Sequence, residues 1–218
     1  MGNENLSRRQ MLSATAVTGA GLTLTAACGT TAAAAPAGVT PPQTEGPFYP
    51  LVQQSDKDTD LTQIGDQRDS ALGEIVSIEG RVLDEAGAPI ADAVVDVWQA
   101  NAAGRYAHEA DTNTAPIDPN FQGWAIMKTD AEGRYTFKTV RPGPYPVEAD
   151  WTRPPHIHFK VSRRGYHEIT TQMYFEGEPL NDVDHLLNGA PADLRSTLIA
   201  TRSDAANPFE FDLVLAKV

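Results

Sequence analysis

From Ser77 onward the chain is written as short runs of mixed apolar and polar character cut by turn residues, and that rhythm restricts it to a layered β fold. Ile78-Glu79-Gly80-Arg81-Val82-Leu83 alternates, Asp84-Glu85-Ala86-Gly87 turns, and residues 93–98 resume as strand. The series continues through residues 123–129, 135–139, 156–162, 168–175 and 209–216. Asp130-Ala131-Glu132-Gly133 and Arg163-Arg164-Gly165 supply turn chemistry between them. A strand of five to eight residues buries one face, so such strands must pair into sheets that stack on one another. The pattern predicts a mainly β protein, an antiparallel β-sandwich preceded by an N-terminal arm. Residues 192–202, with Leu194 and Leu198, read as one short C-terminal helix. No internal repeat is evident.

The first part of the chain obeys different rules. Ser7-Arg8-Arg9-Gln10-Met11-Leu12 is a twin-arginine pattern ahead of a mildly apolar run, residues 12–27, too weakly apolar for a stable membrane span. Residues 1–28 therefore read as a signal for export of a folded chain, a route suited to a protein that acquires its metal in the cytoplasm. Cys28, the single cysteine, closes Leu24-Thr25-Ala26-Ala27-Cys28 and resembles a lipoprotein cleavage site, which predicts a lipid anchor at the cell envelope. Cleavage among the small residues 32–37 would instead release the domain outside the cell. Residues 29–43 are rich in Ala, Thr, Pro and Gly and read as a flexible tether before a domain over 44–218. With a net charge of −12 and no basic stripe, nucleic acid is excluded as a partner.

The sharpest local feature is Arg153-Pro154-Pro155-His156-Ile157-His158-Phe159. In a strand, residues i and i+2 share a face, so both imidazoles can reach one metal ion. The pair alone suits several metals, zinc and copper included, and equally suits two ordinary packed histidines. Asp184 or Glu168 would complete a two-His-one-carboxylate iron(II) site. Tyr106, at the end of Asn101-Ala102-Ala103-Gly104-Arg105-Tyr106, and Tyr145, within Arg141-Pro142-Gly143-Pro144-Tyr145-Pro146, are alternative donors. An isolated tyrosine is more often a packed ring with a bonded hydroxyl.

Taken together these segments resemble one family. Residues 78–106, with Gly104-Arg105-Tyr106, are followed in order by Asp118-Pro119-Asn120-Phe121, Pro142 to Pro146, Arg153 to Phe159 and Gln172-Met173-Tyr174-Phe175-Glu176-Gly177. That succession is similar to the intradiol ring-cleavage dioxygenases, and within them to the β chains of the protocatechuate 3,4-dioxygenases. The resemblance implies iron(III) held by Tyr106, Tyr145, His156 and His158 with a hydroxide. Phenolates are hard anionic donors, and two of them with hydroxide balance three positive charges. It implies a small aromatic diol and dioxygen as reactants, cleavage between the two hydroxylated carbons, and a cis,cis-muconate product. Arg153 matches a residue that stabilises negative charge developing near the ring, and Gln172 a neighbour of the solvent ligand.

The same resemblance places Thr44, Gly46 and Pro47, in Pro41-Pro42-Gln43-Thr44-Glu45-Gly46-Pro47-Phe48, against the substrate. Where the protocatechuate enzymes carry a tryptophan after the Tyr-Pro pair, this chain has Val147, with Trp151 nearby to substitute for it. The identity of the diol is thus open, and association into a homo-oligomer is an expectation of the family alone. A competing reading remains. The segments Gly80-Arg81-Val82 through Ala93-Val94-Val95, and Thr129-Asp130-Ala131-Glu132-Gly133-Arg134-Tyr135, also fit transthyretin-like sandwiches that serve as non-catalytic binding modules on cell surfaces.

Overall fold

A computed structural model describes residues 38–218 except Gln53, Ser55 and Arg68. The expected export signal and Cys28 lie outside these residues, as does the first part of the expected tether. The strands are β1 (Ile75–Asp84), β2 (Val94–Trp98), β3 (Trp124–Lys128), β4 (Arg134–Val140), β5 (Tyr145–Glu148), β6 (Trp151–Arg153), β7 (His156–Ser162) and β8 (Ile169–Phe175). After them come helix α1 (His185–Gly189) and the short strands β9 (Ile199–Ala200), β10 (Phe209–Glu210) and β11 (Leu213–Leu215). One four-stranded sheet is built around β1, which pairs with β4 on one edge and with β10 and β11 on the other. The second sheet has five strands in the order β3-β2-β7-β8-β9, and β5 and β6 form a separate hairpin.

The core fills the space between the two sheets. Val76, Ile78, Val82 and Phe137 from one meet Val95, Val97, Ile157, Phe159, Val161 and Met173 from the other. Phe159 stands at its centre, its ring 5.1 Å from Phe211 and 5.9 Å from Tyr135. Period two then fixes the remaining side chains. With Ile157, Phe159 and Val161 turned inward, His156 and His158 of β7 face outward, as do Trp98 of β2 and Gln172 and Tyr174 of β8. His158 sits opposite both Trp98 and Gln172, and His156 opposite Tyr174.

The mainly β sandwich agrees with the sequence, and three details correct it. The sheets are mixed rather than antiparallel: β10 and β11 run parallel to β1, and β9 parallel to β8. The expected strand over 209–216 is split because the Asp212 carboxylate accepts the Arg81 backbone N–H at 2.8 Å, replacing a rung of the ladder. The helix expected over 192–202 is only a 3-10 turn, Arg195–Leu198, before the chain extends into β9. Thr197 turns its hydroxyl back onto the Leu194 carbonyl at 2.6 Å, and β-branched Ile199 favours the sheet. The one α-helix among the described residues is α1, capped by the Asp184 side chain on Leu187 N at 2.9 Å.

Nor does the tether extend to residue 43. Thr40 and Val214 exchange hydrogen bonds, Thr171 Oγ1 donates to the Pro41 carbonyl at 2.8 Å, and Gln43 N donates to Thr170 O at 2.8 Å. The docked arm thus begins at Thr40, four residues before the expected boundary, and runs alongside β8 through Thr170, Thr171 and Gln172.

Two loops carrying tyrosines are locked together by their glycines. Gly104 and Gly143 both donate their N–H to the Asn101 carbonyl at 2.9 Å. A Cβ on Gly104, whose φ is +78°, would overlap the Pro144 carbonyl, and one on Gly143 would overlap that of Ala102. This backbone contact holds the loop ending in Tyr106 against the loop leading to Tyr145. Gly104→Ala should therefore destabilise the protein by roughly 2–4 kcal/mol, combining left-handed strain with overpacking. Urea unfolding checks this, and a loss below about 0.5 kcal/mol would contradict the interlock.

Candidate metal centre

Four donor atoms converge on the outer face of the five-stranded sheet. His158 Nε2 is 3.1 Å from Tyr106 Oη, and His156 Nε2 is 3.4 Å from both Tyr106 Oη and Tyr145 Oη. β7 supplies both imidazoles, the loop after β2 supplies Tyr106, and the first residue of β5 supplies Tyr145. His156, His158 and Tyr106 are 1%, 3% and 3% exposed, so most of this outward face is covered. The cover comes from the arm and from β2: Phe48 packs 4.7 Å from Tyr106, and Trp98 lies 4.8 Å from His158 with the rings 10° from parallel.

The protonation pattern prepares the cluster for a cation. His156 Nδ1 lies 2.7 Å from the Pro154 carbonyl, an acceptor only, so Nδ1 carries the proton and the Nε2 lone pair faces the phenols. Burial, reinforced by the Arg153 charge, holds both imidazoles neutral, lowering His156 well below its ordinary value and His158 to about 3. Burial likewise raises the Tyr106 and Tyr145 phenols, against a partial offset from Arg153. Without a cation the four groups form an uncharged cluster of two hydroxyls and two imidazole lone pairs. That donor set fits a hard trivalent ion, which would replace the two phenolic protons and leave the site with little net charge.

The carboxylate alternative does not survive the geometry. Among the described residues, no group of three His, Cys, Asp or Glu side chains is placed to hold a metal. Glu168 is exposed, and Asp184 is fully buried elsewhere: it accepts Arg153 Nε at 2.9 Å, Trp151 Nε1 at 3.2 Å and Leu187 N at 2.9 Å. A zinc site of His with carboxylate or thiolate has no third ligand here.

Arg153 is 4% exposed and lies between Asp184 and Gln172, whose Oε1 accepts Arg153 Nη2 at 2.6 Å. Gln172 in turn donates to the Thr44 carbonyl at 2.9 Å, and Tyr174 Oη donates to Gln43 Oε1 at 2.9 Å. The arm, β8, β6 and α1 thus meet in one buried polar network beside the four donors. Thr44, Gly46, Pro47, Val147 and Trp151, all singled out from the sequence, line a cavity of about 600 Å3 that also touches Tyr145, Arg153 and His158.

Other walls were not anticipated. Phe48 and Leu186, and the stretch Asp111-Thr112-Asn113-Thr114, complete the cavity. Asp111 fixes Tyr106 by accepting its N–H at 2.7 Å. Asp184, considered only as a ligand, is the anchor of Arg153. An acidic residue directly before an apolar helical start was its signal, since that is where helix caps sit.

Residues 44–217 match the protein family described as Dioxygenase. The protocatechuate 3,4-dioxygenase β chain of Burkholderia cepacia is 43% identical over 178 residues, 78% of this chain and 76% of that one. A catechol 1,2-dioxygenase of Acinetobacter lwoffii is 31% identical, covering 83% of this chain but 63% of its own length. Among solved structures, the dioxygenase domain of a carbohydrate-binding fusion protein from Streptomyces sp. SirexAA-E superposes with a TM-score of 0.62 at 30% identity, covering 83% of this chain and 99% of that domain. The 3-chlorocatechol 1,2-dioxygenase of Rhodococcus opacus 1CP gives 0.63 at 26% identity, covering 82% and 73%. The chain belongs to the intradiol ring-cleavage dioxygenase family.

The Arg153–Asp184 pair has a measurable consequence. Removing one partner leaves the other buried and unpaired, which costs about 3–5 kcal/mol. Asp184→Ala, which also removes the α1 cap, should lower the unfolding free energy by at least that range in a urea titration. A loss under about 1 kcal/mol would show that Arg153 finds another partner.

Proposed function

We propose that this chain is an iron(III)-dependent intradiol dioxygenase that opens a catechol-type ring between its two hydroxylated carbons, with dioxygen, to a cis,cis-muconate. The observation that carries this reading is the convergence of two phenols and two imidazole Nε2 atoms beside a cavity of about 600 Å3, part of whose wall is Tyr145 and His158. Tyr106, Tyr145, His156 and His158 are the residues that would hold the metal. Bound there, iron(III) supplies the positive charge that lets a diol bind deprotonated and makes its ring carbons reactive toward dioxygen.

The protein's own groups do the rest. Tyr145, half-buried and lining the cavity, would lose its phenolic proton in holding the metal, and its Oη would then stand where it can take a proton from an incoming hydroxyl. Tyr106, 3% exposed and tied to Asp111 through its backbone, stays in place while Tyr145 exchanges partners. Arg153 holds a guanidinium beside the donors, fixed by Asp184, so its charge is preorganised for negative charge arising on the ring. Gln172 bridges that guanidinium to the Thr44 carbonyl and so joins arm and sheet into one wall. Trp98 covers the His158 imidazole, and Phe48 covers the Tyr106 ring.

The non-catalytic sandwich reading has no use for this cluster, since a binding module gains nothing from burying two histidines against two unshared phenols. Arg8, Arg9 and the apolar run behind them support export of the folded chain, and Cys28 supports a lipid anchor. Detection of a lipidated N-terminal Cys28 by mass spectrometry of membrane fractions tests the anchor.

Purified protein loaded with iron should be coloured by phenolate-to-iron charge transfer, and the band should shift when a catechol is added under argon. Tyr106→Phe and His158→Ala should each weaken iron retention by more than about 100-fold, beyond what loss of a supporting residue usually costs. Their sandwich should stay folded by circular dichroism. A colourless preparation with one iron per chain would refute the phenolate assignment.

A further inference from the structure

The cavity ending on the candidate metal centre is larger than one diol ring requires. A space of roughly 150 Å3 is enough to enclose benzene, whereas this cavity measures about 600 Å3. Pro146, Val147, Trp151 and Leu186 give it an apolar stretch of wall, beside a polar one from Asp111 to Thr114. Val147 is 48% exposed on the β5–β6 hairpin, so the hairpin side of the mouth stays open. Trp151 is held firmly, stacked 4.9 Å from His185 and bonded to Asp184. Thr44 and Leu186 also line a second cavity of about 550 Å3, so the two spaces adjoin.

Charge restricts the occupant as strongly as volume does. Among the described residues lining the cavity, Arg153 is the one permanent cation, and Asp184, Gln172 and Tyr174 already take its hydrogen bonds. Asp111 lies in the wall, while Glu148 and Asp150 stand exposed on the same hairpin as Val147. A carboxylate on the ring would meet this acidic rim and find no free cation in the lining. An apolar substituent would instead bury surface against Val147, Trp151 and Leu186.

We propose that this site takes an uncharged catechol bearing a bulky apolar substituent, with Val147 and its hairpin setting that preference; the inference rests on the diol-cleaving reading above. Three probes separate the terms: catechol, 4-tert-butylcatechol and protocatechuate, the last a carboxylated diol. Iron-loaded full-length protein would be assayed for kcat/KM by oxygen uptake and for binding by calorimetry under argon. The tert-butyl diol should exceed protocatechuate by at least about tenfold in both measures, the least that one extra methylene is worth in an apolar pocket.

Val147→Trp should lower the ratio of tert-butyl diol to catechol by about tenfold, and Val147→Arg should raise protocatechuate relative to catechol. Being exposed on a hairpin, the position tolerates both. Preferred binding and cleavage of protocatechuate by the unmodified protein would overturn the proposal while leaving diol cleavage standing. Ratios unmoved by both substitutions would overturn the role of Val147. Selective binding of the tert-butyl diol with no oxygen uptake from any probe would support the pocket preference and refute the proposed function.

Discussion

β7 is apolar on one face and imidazole on the other, and the rest of the structure follows from covering both. Ile157, Phe159 and Val161 bind the two sheets into a sandwich, which any β protein of this kind requires. The other face carries His156 and His158, which a sandwich would ordinarily leave in water. Here they are 1% and 3% exposed because the arm, the loop after β2 and the β5–β6 hairpin close over them. Burial lowers the pKa of the imidazoles and raises that of the phenols, so the covering layer biases both toward their neutral forms.

That covering layer is held both by a second apolar cluster, in which Phe48, Tyr49 and Tyr145 pack against Trp98, Tyr106 and Trp124, and by polar contacts. Tyr49 donates to Asp96 at 2.8 Å, Gln43 to the Leu186 carbonyl at 3.0 Å, and Gln172 to Thr44. Arg153 and Asp184 sit at the junction, buried together, and join the site to α1. A buried ion pair contributes little net stability but strongly penalises loss of either partner. The arrangement therefore favours a single geometry around the donors over raw stability, as a preorganised site needs.

Much of this was legible in the chain itself. Period-two alternation located β1 to β4, β7 and β8, and the same period put both histidines on one face. Tyr106 and Tyr145 stand out only through their surrounding motifs, because nothing local distinguishes a candidate ligand from a packed phenol. What escaped depends on contacts distant in sequence. Parallel pairing of β10 and β11 with β1 joins segments more than a hundred residues apart. The β5–β6 hairpin reads as Tyr-Pro-Val-Glu and Trp-Thr-Arg, without alternation, since one side faces a cavity and the other solvent. Asp184 was misjudged for the same reason: its partner, Arg153, lies 31 residues away, and only folding brings them to 2.9 Å.

The most direct test is a crystal structure of the iron-loaded protein with an anomalous difference map at the iron absorption edge. The account predicts one strong peak, bonded at once to Tyr106 Oη, Tyr145 Oη, His156 Nε2 and His158 Nε2. A peak bonded to the histidines but to neither phenol, or one lying at a carboxylate elsewhere on the chain, would contradict it.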